Sequence, residues 1–125
     1  MSVLLAAGIV TAVLGFAALF NLAMALGAPW GHLTQGGAHS GVLPRRNRLF
    51  AVLSVVLLIL AGLAMLSQAA VWPYWPRWSG WATVAMLLVA SLVNGITPSR
   101  AERNLWMPPV LAAAAAGLYV MLSAP

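Results

Sequence analysis

The sequence predicts an all-α fold, an integral membrane four-helix bundle that forms one domain over residues 1–125. Composition is the first reason, because 63% of the residues are hydrophobic and 6% are charged, whereas a soluble domain is about half apolar and a quarter charged. The second reason is length, because four apolar runs each approach the roughly 20 residues that cross a bilayer. The third is that segments rich in Gly, Pro, Trp or Arg separate these runs.

The first two predicted spans cover residues 3–26 and 44–70, and the longest connection joins them. No Lys or Arg precedes the first apolar run, which favours a retained helix over a cleaved signal peptide. Residues 27–43 contain five glycines, and glycine at this density does not support a regular helix. Pro44 suits the first turn of the second helix, where its missing N–H costs nothing.

The last two predicted spans cover residues 79–96 and 99–123, and short connections precede both. A short link between the second and third spans predicts that they are antiparallel neighbours. Pro98 ends the third span. Ser99, with Glu102 three residues later, fits a capping box, so we expect the fourth helix to begin near Ser99, with the carboxylate stabilising its amino end in water.

Small residues predict close packing between the first and fourth helices. Ala112 with Ala116, and Ala113 with Gly117, form pairs of small residues one turn apart, which let helix backbones approach closely in a membrane. The first span offers a face that we expect to match it, composed of Gly8, Ala12 and Gly15.

Charge asymmetry predicts the orientation in the membrane. Five of the six arginines lie beside the first and third connections, namely Arg45, Arg46, Arg48, Arg100 and Arg103. Arg77 lies on the opposite side, with both termini. Because cytoplasmic loops carry an excess of Lys and Arg, we predict that both termini are outside and that the Gly-rich loop is cytoplasmic. Trp30 and Trp106 on the Arg-rich side, and four tryptophans around the second connection, are predicted to anchor the interfaces.

Few residues are suited to chemistry. Cysteine is absent, which excludes disulfides, thiol redox chemistry and Cys-ligated metals. His32 and His39 lack the further ligands that a metal site needs, so we predict no metal, no cofactor and no catalytic residue. Transport coupled to protons would require an ionisable group at depth, and Glu102 is expected to be solvated.

Asn21 and Asn94 are the polar residues of greatest interest within the spans. A carboxamide in hydrocarbon is costly unless it is paired, and the two lie at similar depth on helices that run the same way. We expect them to bond each other or the Gly-rich loop. The competing interpretation is that they line a polar cavity.

Three stretches carry a resemblance to known sequences. They are Gly27-Ala28-Pro29-Trp30-Gly31, Gly36-Gly37 with Leu43-Pro44, and Pro98-Ser99 through Glu102-Arg103 to Trp106 and Pro108. In these stretches the chain resembles a family of small four-span bacterial integral membrane proteins of unassigned function. The resemblance implies a multi-pass protein of the bacterial plasma membrane, defined by the Gly-rich loop and the start of the fourth helix. It carries over no activity.

These features predict one polar patch on the cytoplasmic face. The candidate residues are Asn21, Trp30, His32, Gln35, His39, Arg45, Arg46, Arg48, Asn94, Arg100, Glu102 and Arg103. We expect a non-enzymatic membrane component that interacts with lipid, with itself as a homo-oligomer or with a partner membrane protein. The alternatives are a carrier or channel for a small neutral or anionic solute, and an enzyme acting on a lipid.

Partners follow from the same patch. The arginine cluster Arg45, Arg46 and Arg48 is predicted to attract anionic lipid headgroups, at about 1 kcal/mol per residue. Nucleic acid is excluded as a partner, because no water-exposed stretch interleaves basic and aromatic residues.

Overall fold

Four long helices account for most of the chain in a computed structural model that describes residues 1–124. They are α1 (Val3–Ala25), α2 (Arg45–Gln68), α3 (Arg77–Ile96) and α4 (Arg100–Ser123). All four are long and apolar enough to cross a membrane. The predicted all-α four-helix membrane bundle is therefore confirmed. Two short 3₁₀ turns, Gly31–Leu33 and Gln35–Gly37, lie within the Gly-rich connection.

The helices run alternately up and down, which gives the bundle two distinct ends. The loop end carries the Gly-rich connection and the short link between α3 and α4. The hairpin end carries the connection between α2 and α3 together with the start of α1 and the end of α4. The hydroxyl of Tyr119, near the end of α4, donates to the backbone carbonyl of Met1, which brings the two chain ends together.

The core lies where α1, α2 and α4 meet, with α3 packed against α4. Its largest fully buried side chains include Met24, Met65, Leu87 and Met121. Small residues of α4 allow this approach, since Ala113 is fully buried and a Cβ on Gly117 would lie 3.4 Å from the terminal methyl carbon of Met65. Ala113, Ala116 and Gly117 therefore face the core, where flexible methionines fill the space beside them. Ala112, which the sequence placed on the same packing face, is exposed.

The matching small face predicted on α1 is wrong. Ala12 is exposed, and a Cβ built on Gly8 or Gly15 would meet nothing within 4 Å. The face that α1 buries instead includes Val10 and Leu14. Branched side chains four residues apart bury more apolar surface in the core than a strip of glycines does, so Gly8 and Gly15 are left exposed.

Hydrogen bonds of Gln68 link α2 to the start of α3 at the hairpin end. Gln68 donates to the carbonyl of Pro76 at 3.2 Å and to the hydroxyl of Ser79 at 3.3 Å. A Cβ on Gly80 would lie 2.6 Å from Cγ of Gln68, so only glycine fits there without displacing a neighbour. Of the four neighbouring helix pairs, α2 and α3 make the sparsest contacts, and a cleft follows their seam.

Candidate functional site

An ordered turn covers the loop end of the bundle. We call its residues, Gly31–Gly37, the lid. The amide of Gly31 donates to the carbonyl of Gly41 at 2.9 Å, which closes the connection on itself. The two segments cross so closely that a Cβ on Gly31 would lie 2.0 Å from the carbonyl oxygen of His39. Gly31 thus permits a compact crossing of the two segments.

Three side chains of α4 and its amino cap hold the lid from one side. The hydroxyl of Ser99 donates to the carbonyl of His32 at 2.7 Å. The indole N–H of Trp106 donates to the carbonyl of Leu33 at 2.8 Å. The amide of Gly36 donates to Oε2 of Glu102 at 2.8 Å. Because these residues are spaced at three and four positions along one helix, they present a single face to the lid.

Glu102 differs from its predicted role. The hydroxyl of Ser99 does accept from the amide of Glu102, at 3.1 Å, so half of the capping box is present. The carboxylate, however, bonds the amide of Gly36 in the lid. Glu102 is only 5% exposed, and the expectation of a solvated acid is therefore wrong. The lid shields the carboxylate from water, and the amide of Gly36 replaces a hydrogen bond that water would otherwise donate.

Trp106 and Gln35 complete the attachment of the lid. Trp106 is 7% exposed and packs edge-on against Phe20, with ring centroids 5.0 Å apart. It is thus part of the core and not the interfacial anchor that the sequence predicts. On the opposite side, the amide nitrogen of Gln35 donates to the carbonyl of Asn47 at 3.0 Å and its oxygen accepts from the Asn47 side chain at 2.6 Å. The lid therefore bridges α4 and the first turn of α2.

A cavity of about 410 Å³ lies beneath the lid. All four helices contribute to its walls, which are mostly apolar. Its polar lining includes Asn21, Ser54, Asn94 and Glu102, with Gln35 and Gly36 of the lid above. Leu57 and Val93 also line it, and both are exposed on the outside of the bundle. The cavity therefore opens sideways, between α2 and α3, towards the hydrocarbon of a membrane.

The two asparagines line this cavity without bonding each other. Asn21 donates to the carbonyl of Ala17 at 2.8 Å, and Asn94 donates to the carbonyl of Ala90 at 2.7 Å. The expected bond between them, or from them to the loop, is wrong. A helix always offers the carbonyl four residues back to a short polar side chain, and both asparagines use it. Their position in the cavity wall matches the competing interpretation.

A second space, an apolar groove of about 510 Å³, follows the same seam towards the hairpin end. Leu57, Leu60 and Ala64 line it from α2, and Ala82 and Met86 from α3. Leu57 lines both the groove and the cavity. On α3 the lining runs from Ser79 in the groove to Asn94 in the cavity, roughly 22 Å along the axis at about 1.5 Å per residue.

The arginines lie outside the cavity, and several of them bond the ends of helices. Arg48 donates to the carbonyl of Ala25, at the end of α1, at 3.0 Å. Arg103 donates to the carbonyl of Thr97, after α3, at 3.1 Å. Carboxyl ends of helices carry partial negative charge, which favours a cation there. These two arginines therefore stabilise the helix junctions.

The structure divides the predicted patch into two groups. Asn21, Gln35, Asn94 and Glu102 come together around the cavity. The others are absent from its lining, and they are Trp30, His32, His39, Arg45, Arg46, Arg48, Arg100 and Arg103. His32 and His39 are both exposed, and within residues 1–124 no three potential metal-ligating side chains cluster.

Sequence reasoning missed Ser54 and Asn47 as site residues. It predicted Ser99 as a helix cap and Trp106 as an interfacial anchor, and it missed the hydrogen bonds of both to the lid. Ser54 interrupts an apolar run, which was the available signal. Nothing local marks Asn47, because its partner Gln35 is twelve residues away on a folded loop. No family model, curated protein or solved structure matches this chain.

Proposed function

We propose that this protein is a non-enzymatic membrane component that binds a single-chain amphiphile from the bilayer in the cleft between α2 and α3. The chain of the amphiphile lies in the apolar groove, and its head lies in the cavity under the lid. The observation that carries the proposal is the order of the two spaces, an apolar groove that leads past Leu57 to a cavity whose lining includes the polar side chains of Asn21, Asn94 and Glu102.

Dimensions and access support this assignment. Ligand pockets usually measure about 300–1,000 Å³, and both spaces fall in that range. Leu57 and Val93 are 54% and 51% exposed, so a ligand can enter from the side of the bundle. A lateral entrance suits a molecule that is already dissolved in the membrane.

A carrier or channel is less well supported, because the cavity with Asn21, Asn94 and Glu102 in its lining lies only near the loop end. Towards the hairpin end the bundle interior is filled by fully buried side chains, among them Val10, Met65 and Met121. A hydrated solute path requires polar or water-filled surroundings through the membrane. An enzyme that uses a histidine is also less well supported, because both histidines lie outside the cavity lining.

A bulky residue in the groove tests the proposal. Ala82 lines the groove, whereas Ala85 is exposed on the same helix outside it. We expect a long-chain alcohol with a diazirine in its chain to label residues of α2 and α3 along the cleft, and Ala82→Trp to reduce this labelling about tenfold. Ala85→Trp is the matched control. Equal labelling of wild type and Ala82→Trp, or labelling spread over all exposed helix faces, contradicts the proposal.

Orientation is proposed from the arginine bias, with the lid in the cytoplasm and both termini outside. The chain has no cysteine, so a maleimide can label only a cysteine that is introduced by substitution. In intact cells, a membrane-impermeant maleimide is expected to label Ser123→Cys and to leave Ser40→Cys unlabelled until the membrane is opened. The reverse pattern would reverse the orientation.

A further inference from the structure

We infer that the cavity under the lid selects an amphiphile whose head carries a primary ammonium group, and that Glu102 is the residue that selects it. This inference rests on the proposed function and adds the chemical class of the ligand. It depends on three features of the cavity, which are its charge, the oxygens it offers and the position of the arginines.

Of the residues 1–124 that the structure describes, Glu102 is the only charged one in the cavity lining. Its Oε2 accepts from the amide of Gly36, which is a neutral donor, and the amino end of α4 adds only the partial positive charge of the helix dipole. A carboxylate that is 5% exposed has lost most of its hydration, and a buried charge is costly unless a charged partner and further hydrogen bonds compensate it. A cationic head placed beside it would supply that partner.

The second oxygen of Glu102 is available to a ligand. Among the described residues 1–124, no buried side-chain nitrogen or oxygen lacks a hydrogen-bond partner. Oε2 accepts the hydrogen bond from Gly36, and Oε1 accepts no such bond from the described residues. Because no buried oxygen in this part of the chain lacks a partner, Oε1 must be accessible from outside the protein. Because Glu102 lines the cavity, its carboxylate lies within reach of a head that enters there.

The asparagines increase the acceptor capacity of the same walls. Each carboxamide has two N–H groups and an oxygen with two lone pairs. Asn21 and Asn94 each spend one N–H on their own helix, so each retains more acceptors than donors. An ammonium group, with three N–H donors and no acceptor, complements such walls.

The arginines do not reverse this preference. Arg48 and Arg103 are bonded to the carbonyls that follow or end α1 and α3, and no arginine lines the cavity. An anionic head would therefore meet a carboxylate and amide oxygens. The attraction of the arginine cluster for anionic headgroups, predicted from the sequence, applies to the outer surface at the loop end.

Three probes with the same chain isolate the head, namely tetradecylamine, tetradecanol and tetradecanoate. Their binding to the full-length protein in nanodiscs of neutral lipid is measured by competition against the diazirine alcohol. We expect the amine to compete at least ten times more strongly than the alcohol, and the carboxylate least. The net charge of +5 favours the carboxylate in any non-specific binding, so the predicted order is opposite to the non-specific one.

Glu102→Gln is the decisive variant, because glutamine can still accept from the amide of Gly36 while the charge is lost. We expect the amine to lose its advantage over the alcohol, and the alcohol to bind about as before. Hydrogen exchange at Gly36 verifies that the lid stays in place. If the amine preference persists in Glu102→Gln, or is absent in the wild type, the inference is overturned.

Ala82→Trp separates the failure of this inference from the failure of the proposed function. If Ala82→Trp abolishes competition while the wild type treats all three heads alike, the cleft binds amphiphiles without selecting an amine. If Ala82→Trp changes nothing, the cleft is not the binding site, and both proposals fail.

Discussion

Gly36 and Gly37 form a matched pair for measuring how firmly the lid is attached to α4. Both have a left-handed backbone, with φ of +77° and +70°. A Cβ on Gly36 would meet nothing within 4 Å, whereas a Cβ on Gly37 would lie 2.6 Å from Cβ of Ser99. Alanine at either position therefore has a similar backbone cost, and only Gly37→Ala pushes the lid away from α4.

The structure sets the expected magnitudes. A left-handed conformation costs a residue with a Cβ about 1 kcal/mol, which raises the open population of the lid about fivefold. Gly37→Ala additionally separates the hydroxyl of Ser99 from the carbonyl of His32, now 2.7 Å apart. One hydrogen bond contributes about 1 kcal/mol, so the total is about 2 kcal/mol, or roughly thirtyfold.

Hydrogen exchange of the lid amides measures these populations in the intact protein. The amide of Gly36 is the reporter, because it bonds Oε2 of Glu102 at 2.8 Å and exchanges only when the lid leaves α4. We expect exchange about five times faster in Gly36→Ala and about thirty times faster in Gly37→Ala, by the free energies above. Equal acceleration in the two variants would refute the close contact between Gly37 and Ser99.

Three further substitutions test the packing, each by the free energy of unfolding in detergent. Gly80→Ala is expected to cost about 1–2 kcal/mol through overpacking, whereas Gly15→Ala, in open space, gains up to about 1 kcal/mol of helix propensity; equal effects would contradict the contact at Gly80. Arg48→Gln is expected to cost about 1.5 kcal/mol by removing a charged hydrogen bond, and Arg45→Gln, an exposed control, less than about 0.5 kcal/mol. Trp106→Phe keeps a ring in the core and loses the indole bond to the lid, so about 1 kcal/mol of stability and a faster lid exchange are expected; unchanged exchange would show that this bond does not hold the lid.

Composition and run length were sufficient to predict the helices, because a membrane leaves few ways to satisfy a backbone. The packing faces were harder to predict. Gly8 and Gly15 looked like a packing face by spacing, yet α1 turns Val10 and Leu14 inward. Spacing shows which residues share a face, and the choice between faces depends on the shape of the neighbouring helices.

The polar residues were predicted less well, because each had a partner that the sequence does not display. The carboxylate of Glu102 could accept a hydrogen bond from its own helix end or from a distant loop, and in the structure it accepts from the amide of Gly36 in the lid. Asn21 and Asn94 could bond across the bundle, and each bonds its own helix instead. A local partner is available at no loop-closure cost. The long-range contact of Glu102 forms because the lid is held by other bonds as well.

The uneven distribution of arginines has two causes that the sequence alone does not separate. Some arginines bond the ends of helices, and the others are exposed at the loop end. At the loop end, Arg48 bonds a carbonyl at the end of α1 and Arg103 bonds one just after α3. At the hairpin end, Arg77 bonds a carbonyl just after α4. Those three follow the direction of the helix dipoles, so they would be needed in either membrane orientation. The remaining arginines, Arg45, Arg46 and Arg100, are exposed and all lie at the loop end. Only these three of the six arginines are therefore left as a signal for membrane orientation, and all three lie at the same end of the bundle.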